Sequence, residues 1–570
     1  METSPPGMRQ HGQDLALTVG ILCLAAGLRW WQLGQDSLWL DEIYTVQLAG
    51  QPLLDIPAAA IASGSQAPLW FLLTHPFVVV GPAEEFLLRW PAALAGVLTV
   101  VAAYALGREM FGRRAALWGA VLAAFSPLLV RYSQEGRVYS MLAAAVIFSL
   151  FFLWRYIRRQ NWRDGLGFVL STVVALYSSY FALLSVAAEF ALLVAWGWKQ
   201  WRSRQSPPWR WLALMAAPWA AVVLAALPWV LVAVPPFLRH QSLLSQSVAG
   251  WHVVTDAAFF SRTSRQLFGS TLLLILLGGL FVGSTLSLIC QRRWAEIVAS
   301  LAWVAIPWLV VILLQPRRFN VRYMIAVQPM IALVAGAGLQ RACEVAASWP
   351  FAPVLKKAVA RWLPFLLSGL LLLPHLAPLA AYYAAAKEDW RGLAAYLARE
   401  AAPGAVVLCH GEAPGQGGDE GRVRIGLEHY LPRWGREDIQ LIGVDAVEEI
   451  SQRGLTERQL WGVLWHHAPL GQPSLPAGWE EVEFAQILVV KSAATASPAS
   501  LNEMLELFLL YLPADAPRYH TGLALAKVAA LAGDTAAARG HLDAASRIRP
   551  GGSYADRAWE RAVQVLEGGQ

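Results

Sequence analysis

A succession of apolar runs of membrane-spanning length constrains this chain more than any other feature. The runs fall at 15–33, 86–107, 115–130, 140–157, 165–180, 181–198, 211–234, 267–290, 294–314, 322–341 and 362–382. Inside a bilayer the backbone must satisfy its own N–H and C=O groups, so continuous runs of this kind become helices of roughly 20 residues. The chain is predicted to be a polytopic α-helical membrane protein with about eleven spans. Composition agrees: 15% of its 570 residues are charged and 56% hydrophobic, whereas a soluble domain has roughly a quarter charged. The 27 Trp suit many interfacial crossings, because indole rings favour the headgroup layer. The net charge of +6 is not a nucleic-acid signal. Its basic residues sit in short clusters between apolar runs, as at Arg113-Arg114, Arg158-Arg159, Arg292-Arg293 and Lys356-Lys357.

Those clusters set the threading. The stretch Pro68 to Gly81 is apolar but ambiguous. If it spans, the clusters at 108–114, 155–163 and 199–210 fall outside. If it lies on the outer surface, these and the clusters at 292–293 and 341–361 all face the cytoplasm, as the positive-inside rule requires. Residues 1–14 then form a cytoplasmic tail before a retained signal anchor, and 15–384 form the membrane domain. Its first external loop, 34–85, would hold surface helices at 41–62 and 68–80. The protein is expected in the inner (plasma) membrane, with the region from 385 onward on the periplasmic or extracellular side. Cysteines 23, 290, 343 and 409 lack ligand spacing, and Cys409 alone falls on that side, so no disulfide is expected.

After Ala384 charges, Gly and Pro rise and the apolar runs shorten to strand length. Val406–Cys409, Gln440–Gly443, Gly462–Trp465 and Glu483–Val490 read as strands, with helical patterns at Trp390–Ala401 and Ala446–Leu464. This predicts a small external α/β domain over 385–497. From 498 to 570 the pattern is helical and resembles one tetratricopeptide-type hairpin around Gly533-Asp534, with a capping helix at 553–567. A lone repeat cannot bury its own core, so this tail should pack on the preceding domain or bind a protein partner.

Three polar segments in external loops could carry chemistry. Asp41 and Glu42, in Asp36-Ser-Leu-Trp-Leu-Asp-Glu-Ile-Tyr44, are either a solvated helix start with Asp41 as N-cap or a general base held above the bilayer. Adjacent helical residues diverge by about 100°, so only one can address a reacting atom: Asp41 as base, with Glu42 orienting or packing. Tyr132-Ser-Gln-Glu135-Gly-Arg137-Val-Tyr139 is either turn chemistry or part of the same pocket. Arg317-Arg318 and Arg322-Tyr323 place three arginines where the positive-inside rule disfavours them. They either anchor lipid headgroups or bind phosphate oxygens, which guanidinium matches in bidentate fashion. Glu189 and His375 lie inside spans and are candidates by that placement. His410, His466 and His467 lack ligand spacing, and Gly415–Gly421 lacks the Lys-Ser/Thr of a phosphate-binding loop, so it reads as a flexible loop.

Together these segments resemble a known family. Leu38-Trp-Leu-Asp-Glu-Ile-Tyr44 is similar to the first-loop signature of bacterial GT-C glycosyltransferases, the protein O-mannosyltransferase and aminoarabinose lipid A transferase kin. The 132–139 segment looks like that family's second external loop. Arg89-Trp-Pro-Ala-Ala-Leu-Ala-Gly96, Arg322-Tyr323 and Asp389-Trp-Arg391 also match in order. The resemblance covers roughly 15–400 and leaves the tail outside. The chain departs from the pattern at Ser178-Ser-Tyr180, where many relatives carry Thr-His-Tyr, and at Ala67-Pro-Leu, where many carry Lys-Pro-Pro.

The resemblance implies a GT-C membrane fold and an inverting transfer of a sugar from a polyprenyl-phosphate carrier to a hydroxyl of a lipid, glycan or protein acceptor. Asp41 and Glu42 would be catalytic, Arg137, Arg318, Arg322 and Tyr323 would bind the donor phosphate, and Tyr132, Glu135 and Tyr139 would support them. Nucleotide sugars are cytosolic, so outward-facing acids and arginines need a donor already carried across the membrane. Arginines can neutralise a phosphate leaving group, so no cofactor is expected; a divalent metal is possible but not predicted. Two other classes compete: a non-catalytic scaffold presenting the α/β and tail regions, and a transporter of lipid-linked sugars.

Overall fold

The computed structural model describes residues 6–63, 67–81, 85–203, 208–247, 256–314, 319–348, 353–385, 387–410, 422–465, 475–512, 515–549 and 553–568. Arg317, Arg318, Gly415–Gly421 and His466-His467 lie outside them. The chain divides into a helical unit (Met1–Gly34, Thr45–Phe237, His252–Ala385) and a mixed unit (Gln35–Tyr44, Leu238–Trp251, Ala386–Gln570).

In the helical unit the apolar runs become helices. Among the described residues seven are long and apolar enough to cross a membrane. An eighth span results if Arg113–Phe125 and Pro127–Ser133, bent by 58°, count as one. The other three expected spans coincide with the helices Pro6–Trp30, Trp162–Ser178 and Pro353–Ala384, whose apolar stretches are shorter. Tyr139–Arg159 is the most enclosed, with 83% of its apolar window buried; it packs between Glu85–Met110 and Trp162–Ser178. Thr271–Cys290, only 28% buried, presents Leu272, Ile275, Val282 and Leu286 outward, as a lipid-facing helix does.

The first loop departs from expectation. The segment 41–62 forms two helices, Leu40–Ala49 and Ile56–Ala62, because Gly50-Gln51-Pro52 cannot continue a helix. Leu69–Val79 is an 11-residue helix, about 16 Å long and too short to span by itself. Glu189 and His375 are bonded within the bundle. Ser149 donates to Glu189 Oε1 at 2.6 Å, and His375 Nδ1 lies 2.7 Å from the Leu371 carbonyl oxygen.

The mixed unit is built on a five-stranded sheet: β1 (Val406–His410), β2 (Gln440–Gly443), β3 (Gln459–Trp465), β4 (Glu480–Phe484) and β5 (Ile487–Thr495), in the order β2-β1-β3-β5-β4. The first three are parallel, and β5 is antiparallel to both β3 and β4. The single strand expected over Glu483–Val490 is instead a hairpin, turning at Ala485 with φ +55°. The helix expected over 446–464 shrinks to Glu448–Gln452, ended by Gly454 at φ +67°, and 459–465 is strand. The Gly404 N–H donates to Asp438 at 2.7 Å and Arg436 Nε at 2.8 Å, tying the approach to β1 to that of β2. The Arg436 hydrogen bond, then the Gly404 N–H, holds the Asp438 carboxyl down to about 2.

Four helices follow, Pro498–Tyr511, Asp515–Leu531, Thr535–Arg547 and Ser553–Gly568. The first lies across the sheet at Gly462, where an added Cβ would come within 2.4 Å of Met504 Sδ; only glycine permits that approach. Met504, Leu505, Phe508, Ala524 and Val528 join Val406, Leu408 and Leu460 in one core. A second core gathers Tyr519, Leu523, Ala545, Ala555 and Ala562.

Candidate active site

Ser126 and Pro127 shape the site in the helical unit. Ser126 is extended (ψ 118°) and caps the next helix through Leu129 N at 3.5 Å, with Pro127 in its first turn. The chain turns here, and 132–140 follow as a mostly polar stretch that is nonetheless all buried. Burying them requires partners.

The partners come from helix ends. The Gln134 amide donates to the carbonyls of Leu28 (3.4 Å), Arg29 (3.3 Å) and Trp31 (2.6 Å). Arg89 donates to Leu33 O at 3.0 Å, and Arg29 to Ala25 O and Ala124 O at 3.0 and 3.2 Å. The Leu28, Arg29 and Ala124 carbonyls lie in the last turns of their helices and lack intrahelical donors, so these groups serve them. Gly96 makes the packing possible: an added Cβ would lie 2.0 Å from Ser133 Oγ and 2.8 Å from Arg29 Nε. The motif Arg89–Gly96 is thus a brace behind the polar loop.

On this brace stand the predicted phosphate ligands. Arg137 is buried; its Nη1 donates to Thr45 Oγ1 at 3.1 Å, while Trp70 Nε1 holds the Gly136 carbonyl at 3.1 Å. Glu135 pairs with Arg131 at 3.3 Å. Arg322 lies on the short helix Val321–Met324, capped by Asn320 Oδ1 on the Arg322 N–H at 3.1 Å. Its guanidinium sits 5.3 Å from the centre of the Tyr139 ring and 5.8 Å from that of Tyr323. Tyr132 packs edge-on against Tyr139 at 5.2 Å and donates to Asn320 at 3.4 Å, and Tyr323 stacks on Phe181 at 4.1 Å. Aromatic faces fix a cation in place without neutralising it. Tyr132, Tyr139, Arg322 and Tyr323 therefore form one cluster. Arg137 and Glu135 share its loop, and Arg318 lies outside the described residues. Ala67 packs with Trp229 and Ala233. Among the described residues no three His, Cys, Asp or Glu side chains gather as a metal cage would require.

Asp41 and Glu42 begin the Leu40–Ala49 helix, and both belong to the mixed unit. Glu42 is fully buried and accepts the Trp39 N–H at 3.3 Å, so Glu42, not Asp41, caps this helix. The segment before it is held by 387–391 and Tyr430. Lys387 pairs with Asp36 at 3.1 Å, Arg391 Nη2 donates to Gln35 O at 2.5 Å, and Tyr430 Oη accepts the Leu38 N–H at 2.7 Å. Ser37 Oγ accepts the Trp390 N–H at 3.2 Å and donates to the Glu388 carbonyl. This gives Asp389-Trp-Arg391 a physical role: it clamps the segment that leads into Asp41. Thr45, Gln134, Asn320, Phe181 and Tyr430 were not anticipated, because each acts as a partner of a residue distant in sequence.

Comparison with known proteins places this architecture. Residues 65–229 match the family described as dolichyl-phosphate-mannose-protein mannosyltransferase. No curated protein sequence matches. The structure is similar to ArnT from Cupriavidus metallidurans bound to undecaprenyl phosphate, at TM-score 0.54 and 14% identity, covering 83% of this chain and 97% of that one. The apo ArnT matches at the same score and identity, with 85% and 98% covered. The Archaeoglobus fulgidus oligosaccharyltransferase in complex with zinc and sulfate matches at TM-score 0.50 and 12% identity, with 79% and 67% covered. The chain thus shares the fold of these ArnT structures, and the mannosyltransferase family model matches it over residues 65–229.

Proposed function

We propose that this protein transfers a sugar from a polyprenyl-phosphate carrier to an acceptor hydroxyl, with inversion at the anomeric carbon, on the external face of the inner membrane. One observation carries the reading: Arg322 is held among Tyr139 and Tyr323, on a GT-C scaffold whose structural neighbour was crystallised with undecaprenyl phosphate. A cation positioned by aromatic faces suits a phosphate that becomes a leaving group.

In the proposed reaction Asp41 accepts the acceptor hydroxyl's proton as that oxygen bonds to the anomeric carbon. The bond from the anomeric carbon to the phosphate oxygen breaks, and its electron pair stays on the polyprenyl phosphate. Arg137, Arg318 and Arg322 neutralise that charge, Tyr323 assists, and Tyr132, Glu135 and Tyr139 keep the cluster in place. Glu42 holds the helix start that aims Asp41. The sugar is a hexose or pentose, the N-terminus is cytoplasmic, and the C-terminal region is periplasmic or extracellular, where its helical tail would take a protein partner.

The test is mass spectrometry of polyprenyl-phosphate sugars in a deletion strain complemented with wild-type protein or with Arg322→Ala. The wild type should clear an accumulated lipid-linked sugar. The variant should bind donor more weakly by about 1.5–3 kcal/mol, roughly 10- to 150-fold, and leave it uncleared. Absence of any accumulating species in the deletion strain would refute the reading.

A further inference from the structure

The Tyr139–Arg159 helix carries the candidate donor site at its first residue. Its other end, 21 residues on and about 30 Å away, borders a separate cavity of about 350 Å³ in the helical unit. Four cations line it, Arg158, Lys199, Arg292 and Arg293, against one carboxylate, Glu296. Glu296 is shared by Arg158 at 3.1 Å and Arg293 at 2.9 Å. Among the described residues Lys199 and Arg292 make no ion pair, so the cavity has an excess of positive charge. A bias of basic residues toward one membrane side accounts for their presence in these turns. It does not require four of them to converge on one hollow.

Two further observations point to an occupant with acceptor oxygens. The wall includes Trp154, which is 3% exposed, and its indole N–H has no acceptor among the described residues; a buried donor normally has one. The Trp294–Leu314 helix also begins at this cavity, and helix N-termini favour anions. Trp196 and Leu192 supply an apolar side, which free phosphate would not use and a lipid would.

We propose that this cavity binds the phosphate group of an anionic membrane lipid, as a second phosphate site distinct from the donor cluster. Full-length protein purified in detergent tests this by native mass spectrometry with palmitoyl-oleoyl phosphatidic acid, with the matching phosphatidylcholine as control. The wild type should retain phosphatidic acid preferentially. Lys199→Ala/Arg292→Ala removes two exposed cations and should weaken that retention roughly 25-fold, with each single Gln variant losing roughly fivefold. The melting temperature should not change, and the Gln variants decide the matter if the double variant does not fold. Equal retention of the two lipids, or equal retention by wild type and variants, overturns the proposal. Adding millimolar inorganic phosphate separates the sources. Lipid that stays bound supports a lipid-borne group, and competitive displacement overturns the lipid assignment in favour of a soluble phosphate.

Discussion

The two polar segments that lead the candidate chemistry are held in different ways. The 131–139 loop is fixed through its side chains: Gln134 and Arg137 reach carbonyls or hydroxyls, and Tyr139 supports Arg322. The segment before Asp41 is fixed through its backbone as well, at Gln35 O and Leu38 N, beside the side chains of Asp36 and Ser37. Side-chain anchoring suits cations that must keep their charge in a buried place. These contacts stop short of Asp41, which is only partly buried while Glu42 is wholly so. Placing the candidate cations and placing the candidate base are thus separate structural problems here.

Four substitutions would break or sharpen that contrast. Asp41→Asn keeps size and most hydrogen bonding but removes proton-accepting capacity, so turnover with a radiolabelled lipid-linked donor should fall roughly 10²–10⁴-fold. Donor binding should hardly change. Glu42→Gln should lose less, since it weakens a cap. Near-normal turnover of folded Asp41→Asn would remove the base assignment and bring the scaffold reading forward.

Gly96→Ala probes the side-chain-anchored loop. The new methyl meets Ser133 and Arg29, and overpacking of this kind costs about 1–3 kcal/mol. Thermal unfolding in detergent should show a lower midpoint, and an unchanged one would mean the brace is looser than its geometry implies. The segment before Asp41 is probed by Tyr430→Phe, which removes the acceptor of the Leu38 N–H. A net loss of about 0.5–1.5 kcal/mol is expected, read as faster amide exchange at Leu38 with exchange in β1 unchanged.

Much of the helical unit was legible in the sequence because hydropathy alone selects its helices. The mixed unit was legible in its strands β1 to β3 but not in its turns. The β4–β5 hairpin turns at Phe484-Ala485-Gln486-Ile487, with no glycine or asparagine to announce it. Of the site, residue types with unusual placement were readable: three arginines at a span end, an acidic pair after a span. Their partners were not, since Asn320 is 188 residues from Tyr132 and Tyr430 is 392 from Leu38. No local pattern encodes such pairings.

The clamp on the first loop also has a consequence in time. Ser37 bonds to Glu388, 351 residues later in the chain. At a synthesis rate of about 5–20 residues per second, the ribosome needs on the order of 20–70 s to deliver the second half of that contact. The segment before Asp41 is among the first parts made and among the last to be locked. A premature stop before residue 387 would therefore leave the nascent protein inserted but with its acidic loop unfastened.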